Sequence, residues 1–181
     1  MAGCSSDSGK PAAEKPQPKT PEAVTGWRAF QQCYVAARGW AADAKPYRVE
    51  SAITLEANGR EGKAAMWRAG FASPTRRTSR TYTWSNGEIT PNVEDTYSPT
   101  NTSTLVFDVA FLKIDSEQAL KTAQEHGGDQ QPADTPILYV LDWDRSKNLA
   151  VWHVIYGTDR DSAKLRLAVN ASTGDFMKVE K

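Results

Sequence analysis

The residues most able to do chemistry in this sequence are His126, His153, Cys4 and Cys33, which are all of its histidines and cysteines. Metal and thiol chemistry need such groups at short, fixed spacings, so two of each excludes most metal and redox frameworks. There is no His-Glu-x-x-His, no Cys-x-x-Cys, no glycine-rich phosphate loop and no Gly-x-Ser-x-Gly. Cys33 falls within a helical apolar pattern and reads as a small buried hydrophobe, because no orienting third group accompanies a Cys–His pair. His126 falls at a helix C-terminus, where the dipole mildly favours an imidazolium. His153 alternates with apolar residues and reads as a sheet residue rather than a base. Asp142, Asp144 and Asn148 bunch in one hairpin. Lys147, however, stands where a calcium loop needs glycine, and His153 where it needs a bidentate glutamate. Turn formation explains these residues without a metal. The expectation is a chain with no catalytic, metal or cofactor site, and not an enzyme.

Cys4 stands apart from this group. Ala2-Gly3-Cys4, followed by Ser5, resembles the end of a bacterial lipoprotein signal peptide, although Met1 stands where Leu is usual. In such proteins the Cys after small residues becomes the lipidated N-terminus, so the resemblance implies lipidation of Cys4 and a chain recorded from just before its cleavage point. Residues 1–23 hold four of the ten prolines among small polar residues. Such a stretch cannot bury enough apolar surface to offset its entropy and reads as a disordered tether. The implied address is the periplasmic side of the bacterial cell envelope, with Ser5 favouring the outer membrane. Lys+Arg and Asp+Glu both number 22, so no basic field exists for nucleic acid. No apolar run approaches the roughly 20 residues of a membrane span, which leaves lipid on Cys4 as the expected membrane contact.

The remainder of the chain must supply the architecture, and an internal repeat organises it. Ala65-Met66-Trp67-Arg68-Ala69-Gly70-Phe71 aligns with Ala150-Val151-Trp152-His153-Val154-Ile155-Tyr156 at an offset of 85 residues. The same offset carries Tyr82 and Trp84 onto Leu167 and Val169, and both copies then reach a turn, at Asn86-Gly87 and at Thr173-Gly174. Each copy begins with a helix. In the first, Val24, Trp27, Phe30, Tyr34, Ala37 and Ala41 recur at three- and four-residue steps. The second opens on a capping box, Asp115-Ser116-Glu117-Gln118, and ends at Gly127-Gly128. Strands are expected over residues 47–57, 63–72 and 78–85, then 137–142, 149–156 and 164–170, with a last strand over 176–179. Residues 88–104 read as a polar linker and 105–114 as one further strand. Helix–strand–strand–strand, twice, implies an α+β protein: two pseudo-repeated α-β-β-β units, antiparallel sheets with helices on one face. The expected divisions are a tether (1–23), a first unit (24–95), a linker and connecting strand (96–114) and a second unit (115–181). Units this small are marginal alone and should share a core or one continuous sheet.

The second unit, with its capped helix, Ala150-Val151-Trp152-His153-Val154 and then Val169-Asn170-Ala171-Ser172-Thr173-Gly174-Asp175, resembles a PepSY domain. That family carries a Trp-x-Val strand followed by Val-x-Val-Asp-Ala-x-Thr-Gly; here Asn170 replaces the Asp. The resemblance implies a secreted or envelope-anchored, non-catalytic domain, arranged in tandem. PepSY units accompany thermolysin-like peptidases as propeptide parts, which implies peptidase inhibition or regulation.

Two surface features remain. Arg76, Arg77 and Arg80 form the one basic cluster and read as a solvated hairpin end, with contact to anionic lipid or an acidic partner as the alternative. Tyr139-Val140-Leu141 and Val154-Ile155-Tyr156 are apolar on both strand phases. If Leu138 and Val140 face the helices, Tyr139, Leu141 and Trp143 face away. That face is either buried between the units or an exposed site for a protein or peptide partner anchored by Tyr139, Trp143 and His153. A purely structural envelope protein is the other functional class left open, and a hydrolase with an unrecognised site a third.

Overall fold

The computed structural model describes residues 22–180; Cys4 and the tether over residues 5–21 lie outside the described residues. Two helices, α1 (Gly26–Trp40) and α2 (Ser116–Glu125), pack on one face of an antiparallel sheet. The strands are β1 (Val24–Thr25), β2 (Lys45–Ala52), β3 (Lys63–Ala64), β4 (Met66–Ser73), β5 (Thr78–Ser85), β6 (Glu88–Pro91), β7 (Asp95–Thr96), β8 (Ile137–Asp144), β9 (Leu149–Tyr156), β10 (Leu165–Asn170) and β11 (Phe176–Glu180). The large sheet runs β11-β10-β9-β8-β2-β4-β5-β6, with β7 also on β5, while β1 and β3 form a separate ribbon.

This order is symmetric about its middle. The first strands of the two repeats, β2 and β8, pair with each other through Arg48 opposite Asp142 and Glu50 opposite Val140. From that seam each unit steps outward, β2-β4-β5 one way and β8-β9-β10 the other. The segments aligned at an offset of 85 therefore occupy matching places, one strand from the centre. Both units share one continuous sheet and one core.

Local chemistry sets the element ends. Thr25 caps α1, its hydroxyl accepting from the Arg28 N–H at 3.4 Å. In α2 the capping box forms, with Gln118 Oε1 accepting from the Asp115 N–H at 3.1 Å. Asn86 and Gly87 both take positive φ, 52° and 80°, which gives the β5–β6 hairpin a turn matched to the strand twist.

Three expectations need correction. Residues 105–114 do not form a strand: Asp108 accepts from the Ala110 N–H at 2.8 Å and winds Val109–Phe111 into a 3-10 turn. The polar segment after Asn86-Gly87 is not merely a linker, since β6 and β7 pair with β5 along the sheet edge. Most consequentially, the strand phase of β8 is inverted. Tyr139 and Leu141 lie in the core under the helices, in one cluster with Trp67, Trp152 and Val154, whereas Val140 and His153 share the opposite face. The tyrosine is tolerated in the core because its polar tip is satisfied there, donating to the Gly59 carbonyl at 2.6 Å.

Candidate functional site

The sheet face opposite the helices carries a connected line of charges. In β8 and β9, Val140 lies opposite His153, and Asp142 follows two residues later on the same face. Arg48 and Glu50 of β2 extend that face across the seam, and Arg68 of β4 sits opposite Glu50. Glu180 closes the far end on β11. These side chains, from five of the six strands between β11 and β4, bond in sequence. His153 Nδ1 lies 2.8 Å from Glu180 Oε2, and its Nε2 lies 2.9 Å from Asp142 Oδ1. Asp142 Oδ2 faces Arg48 at 3.6 Å, the Arg48 Nε donates to Glu50 at 2.8 Å, and Arg68 reaches Glu50 at 3.9 Å. Arg160, from the loop between β9 and β10, approaches Asp142 at 4.0 Å.

His153 is the buried centre of this line, its side chain 8% exposed. Burial opposes its charged form, but the hydrogen bonds and charges of Asp142 and Glu180 outweigh burial and raise its pKa above 6.5. The same contacts hold both carboxylates below their ordinary range despite the opposing effect of burial, Asp142 with help from Arg48 and Arg160, and Glu180 with help from Arg160 and Lys178. In its protonated form the ring donates from both nitrogens, to Glu180 and to Asp142. Such a ring has no lone pair for proton abstraction or for a metal. Among the described residues no three His, Cys, Asp or Glu side chains are grouped to hold a metal ion.

The anchors chosen from sequence do not form one face. Tyr139 has no exposed surface and stacks obliquely near Trp67, with ring centroids 6.2 Å apart. Trp143 is half-buried on the helix side, under Phe107 at 6.2 Å and Phe111 at 5.1 Å. His153 is on the other side of the sheet, so a surface spanning Tyr139, Trp143 and His153 does not exist. Two apolar phases made the strand direction undecidable from sequence. Glu180 was missed as a partner of His153, and Arg48 and Arg160 as partners of Asp142. The available signal was a charged residue in phase on each neighbouring strand.

The other candidates resolve into structural roles. Cys33 is fully buried, and burial pushes its thiol up to about 12. His126 stacks on Phe176 at 4.0 Å and donates from Nδ1 to the Thr122 carbonyl at 2.8 Å. In the basic cluster, the Arg76 and Arg80 guanidiniums lie over the Trp40 ring at 5.5 and 5.3 Å. Trp40 Nε1 donates to Glu94 at 2.8 Å, and Arg80 pairs with that same carboxylate. Two of the three arginines are thus engaged in holding the β4–β5 hairpin to the end of α1.

Among the described residues, the fold and this face define an α+β protein whose main antiparallel sheet is symmetric, with two helices on one side and a charged surface on the other. Among known proteins, no family model matches the chain, so the PepSY resemblance rests on its motif residues. No curated protein matches it either. Among solved structures, the fold is similar to that of a candidate lipoprotein from Clostridium difficile. The TM-score is 0.57 at 11% identity, covering 84% of this chain and 91% of the other.

Proposed function

We propose that this protein is a lipid-anchored, non-catalytic binding protein of the bacterial cell envelope, held at the periplasmic side through Cys4. The observation that carries the reading is Cys4 itself: a cysteine after Ala2-Gly3, heading a proline-rich segment that leads to a folded unit. The similarity in fold to a candidate lipoprotein supports it. The non-catalytic part is supported by the state of the reactive groups, with Cys33 buried and His153 committed at both nitrogens. Mass spectrometry of the native N-terminus tests the anchor. A diacylglyceryl Cys4 is the expected result, and an uncleaved chain with a free thiol removes it.

The finer reading is regulation of an envelope peptidase, which the PepSY resemblance implies. It is supported by the motif residues of the second unit and by the matching places that the two repeats hold in the sheet. The rate of a thermolysin-like peptidase, measured with increasing amounts of the full chain, tests it. A dose-dependent fall is expected, and an unchanged rate discards the inhibitory role while leaving the anchor untouched.

A further inference from the structure

The charged face ends, on the β10–β11 side, in an open cavity of about 540 Å3 lined by Arg160, Arg166, Lys178, Val179 and Glu180. Strand register explains the convergence. Arg166 lies opposite Glu180 and Ala168 opposite Lys178, which places Arg166, Lys178 and Glu180 on the face that His153 shares. Arg160 joins them from the β9–β10 loop, its backbone carbonyl accepting from Arg166 Nη1 at 3.0 Å.

An arginine directly across from a glutamate ordinarily pairs with it. Here Glu180 turns away to His153, and its side chain is only 12% exposed. Among the described residues neither Arg166 nor Lys178 has a carboxylate within 4.0 Å. Among the described residues the one carboxylate in an ion pair with Arg160 is Asp142, at 4.0 Å, already held by His153 and Arg48. The buried His153 ring therefore holds the two carboxylates that would otherwise face this corner. Three cations are left facing solvent around one cavity, in a chain whose net charge is zero.

We propose that this cavity binds a phosphate group, carried either by a small phosphorylated molecule or by an anionic phospholipid headgroup. Two planar guanidinium forks and one ammonium suit a tetrahedral anion with several acceptor oxygens, which a single carboxylate fills less completely. The soluble source needs nothing beyond this geometry. The headgroup source rests on the envelope address proposed above.

Two probes of the full chain carrying Cys4→Ser, which removes the proposed anchor from the flotation readout, separate the sources. One is titration with inorganic phosphate, followed by NMR at Arg160, Arg166 and Lys178. The other is flotation with vesicles of phosphatidylglycerol or of phosphatidylcholine. Binding is expected to weaken with added salt and to fall about tenfold or more in the double variant Arg166→Gln, Lys178→Gln, the equivalent of about 1.4 kcal/mol. The thermal midpoint of that variant should change little, because among the described residues neither side chain is in an ion pair and the one side-chain hydrogen bond lost is from Arg166 to the Arg160 carbonyl in a surface loop. Flotation with phosphatidylglycerol alone, abolished in the variant, assigns the headgroup; phosphate shifts without flotation assign a soluble ester. Absence of both, or equal binding by the double variant, overturns the proposal. A failed lipid anchor at Cys4 would leave the phosphate titration unaffected, so the two readings fail separately.

Discussion

Trp67 and Trp152 meet edge to face at the centre of the molecule, their ring centroids 6.4 Å apart and their planes at 76°. They are counterparts in the two repeats, and each makes the counterpart bond. Trp67 Nε1 donates to the Val24 carbonyl at 2.9 Å and Trp152 Nε1 to the Ile114 carbonyl at 2.7 Å. In both units the acceptor immediately precedes the N-cap residue of the helix, Thr25 or Asp115. The indole thus ties the second strand of each unit to the start of its own helix.

Gly26 tests this arrangement. A Cβ there would stand 2.7 Å from Trp152 Cη2 and 3.1 Å from Trp67 Cη2, and both rings are wholly buried. On helix propensity alone, Gly26→Ala should stabilise the chain by up to about 1 kcal/mol. We expect the opposite sign, a loss of about 1–3 kcal/mol from overpacking, measured by urea denaturation. A raised midpoint would show that the indole pair is not tightly held.

Asp115 joins the two helix starts. Its Oδ1 accepts from the Ser116 N–H at 2.6 Å and from the Trp27 N–H at 2.9 Å, so one carboxylate caps its own helix and also α1. A single lost cap costs about 0.5–2 kcal/mol. Asp115→Ala should therefore reach or exceed the upper end of that range, and Asp115→Asn should recover part of it. An alanine effect below about 0.5 kcal/mol would mean that the shared cap contributes nothing beyond an ordinary one.

What the sequence disclosed follows the range of the interactions. The Asp115–Gln118 box and the α1 stripe were legible because their partners lie within a turn or two. The repeat was legible from Trp67 and Trp152 because hydrophobic phase survives divergence. The direction of Tyr139 was not. With Tyr139, Val140 and Leu141 all apolar, either phase buries a hydrophobe, and the choice is made by the Gly59 carbonyl, 80 residues away. The charge line escaped for the same reason. His153 lies 27 residues from Glu180 and 11 from Asp142, and Arg48 arrives from the other repeat only because β2 and β8 pair.

Cys33 gives a test of the core. With its thiol buried and raised to about 12, essentially none is thiolate near neutrality. Iodoacetamide should leave Cys33 unmodified in the native chain and alkylate it fully in denaturant, as read by peptide mass spectrometry. Rapid native labelling would show that α1 opens from the sheet. Cys33→Ser should destabilise by about 1–3 kcal/mol, since it buries a hydroxyl in an apolar site.

The last prediction is a pH dependence centred on His153. Its pKa is raised above the ordinary 6.5 in the folded chain. Its stabilising contribution is therefore complete below the unfolded value and is lost as pH rises through the folded one. Asp142 and Glu180 have lowered pKa values, so their contribution is present above the unfolded carboxylate range and is lost as pH falls through the folded values. The cluster is strongest between these limits. Raising the pH past neutrality should lower the unfolding free energy, and the NMR titration of His153 should have its midpoint above 6.5. Glu180 ends the last strand of the sheet, β11. Amide exchange in β11 should accordingly quicken, beyond the intrinsic pH effect, as the imidazolium is lost. His153→Gln should flatten the alkaline limb of the stability curve and remove the pH-linked part of that exchange. A midpoint at or below 6.5, or an alkaline limb unchanged in His153→Gln, would show that the two carboxylates do not hold the proton on this ring.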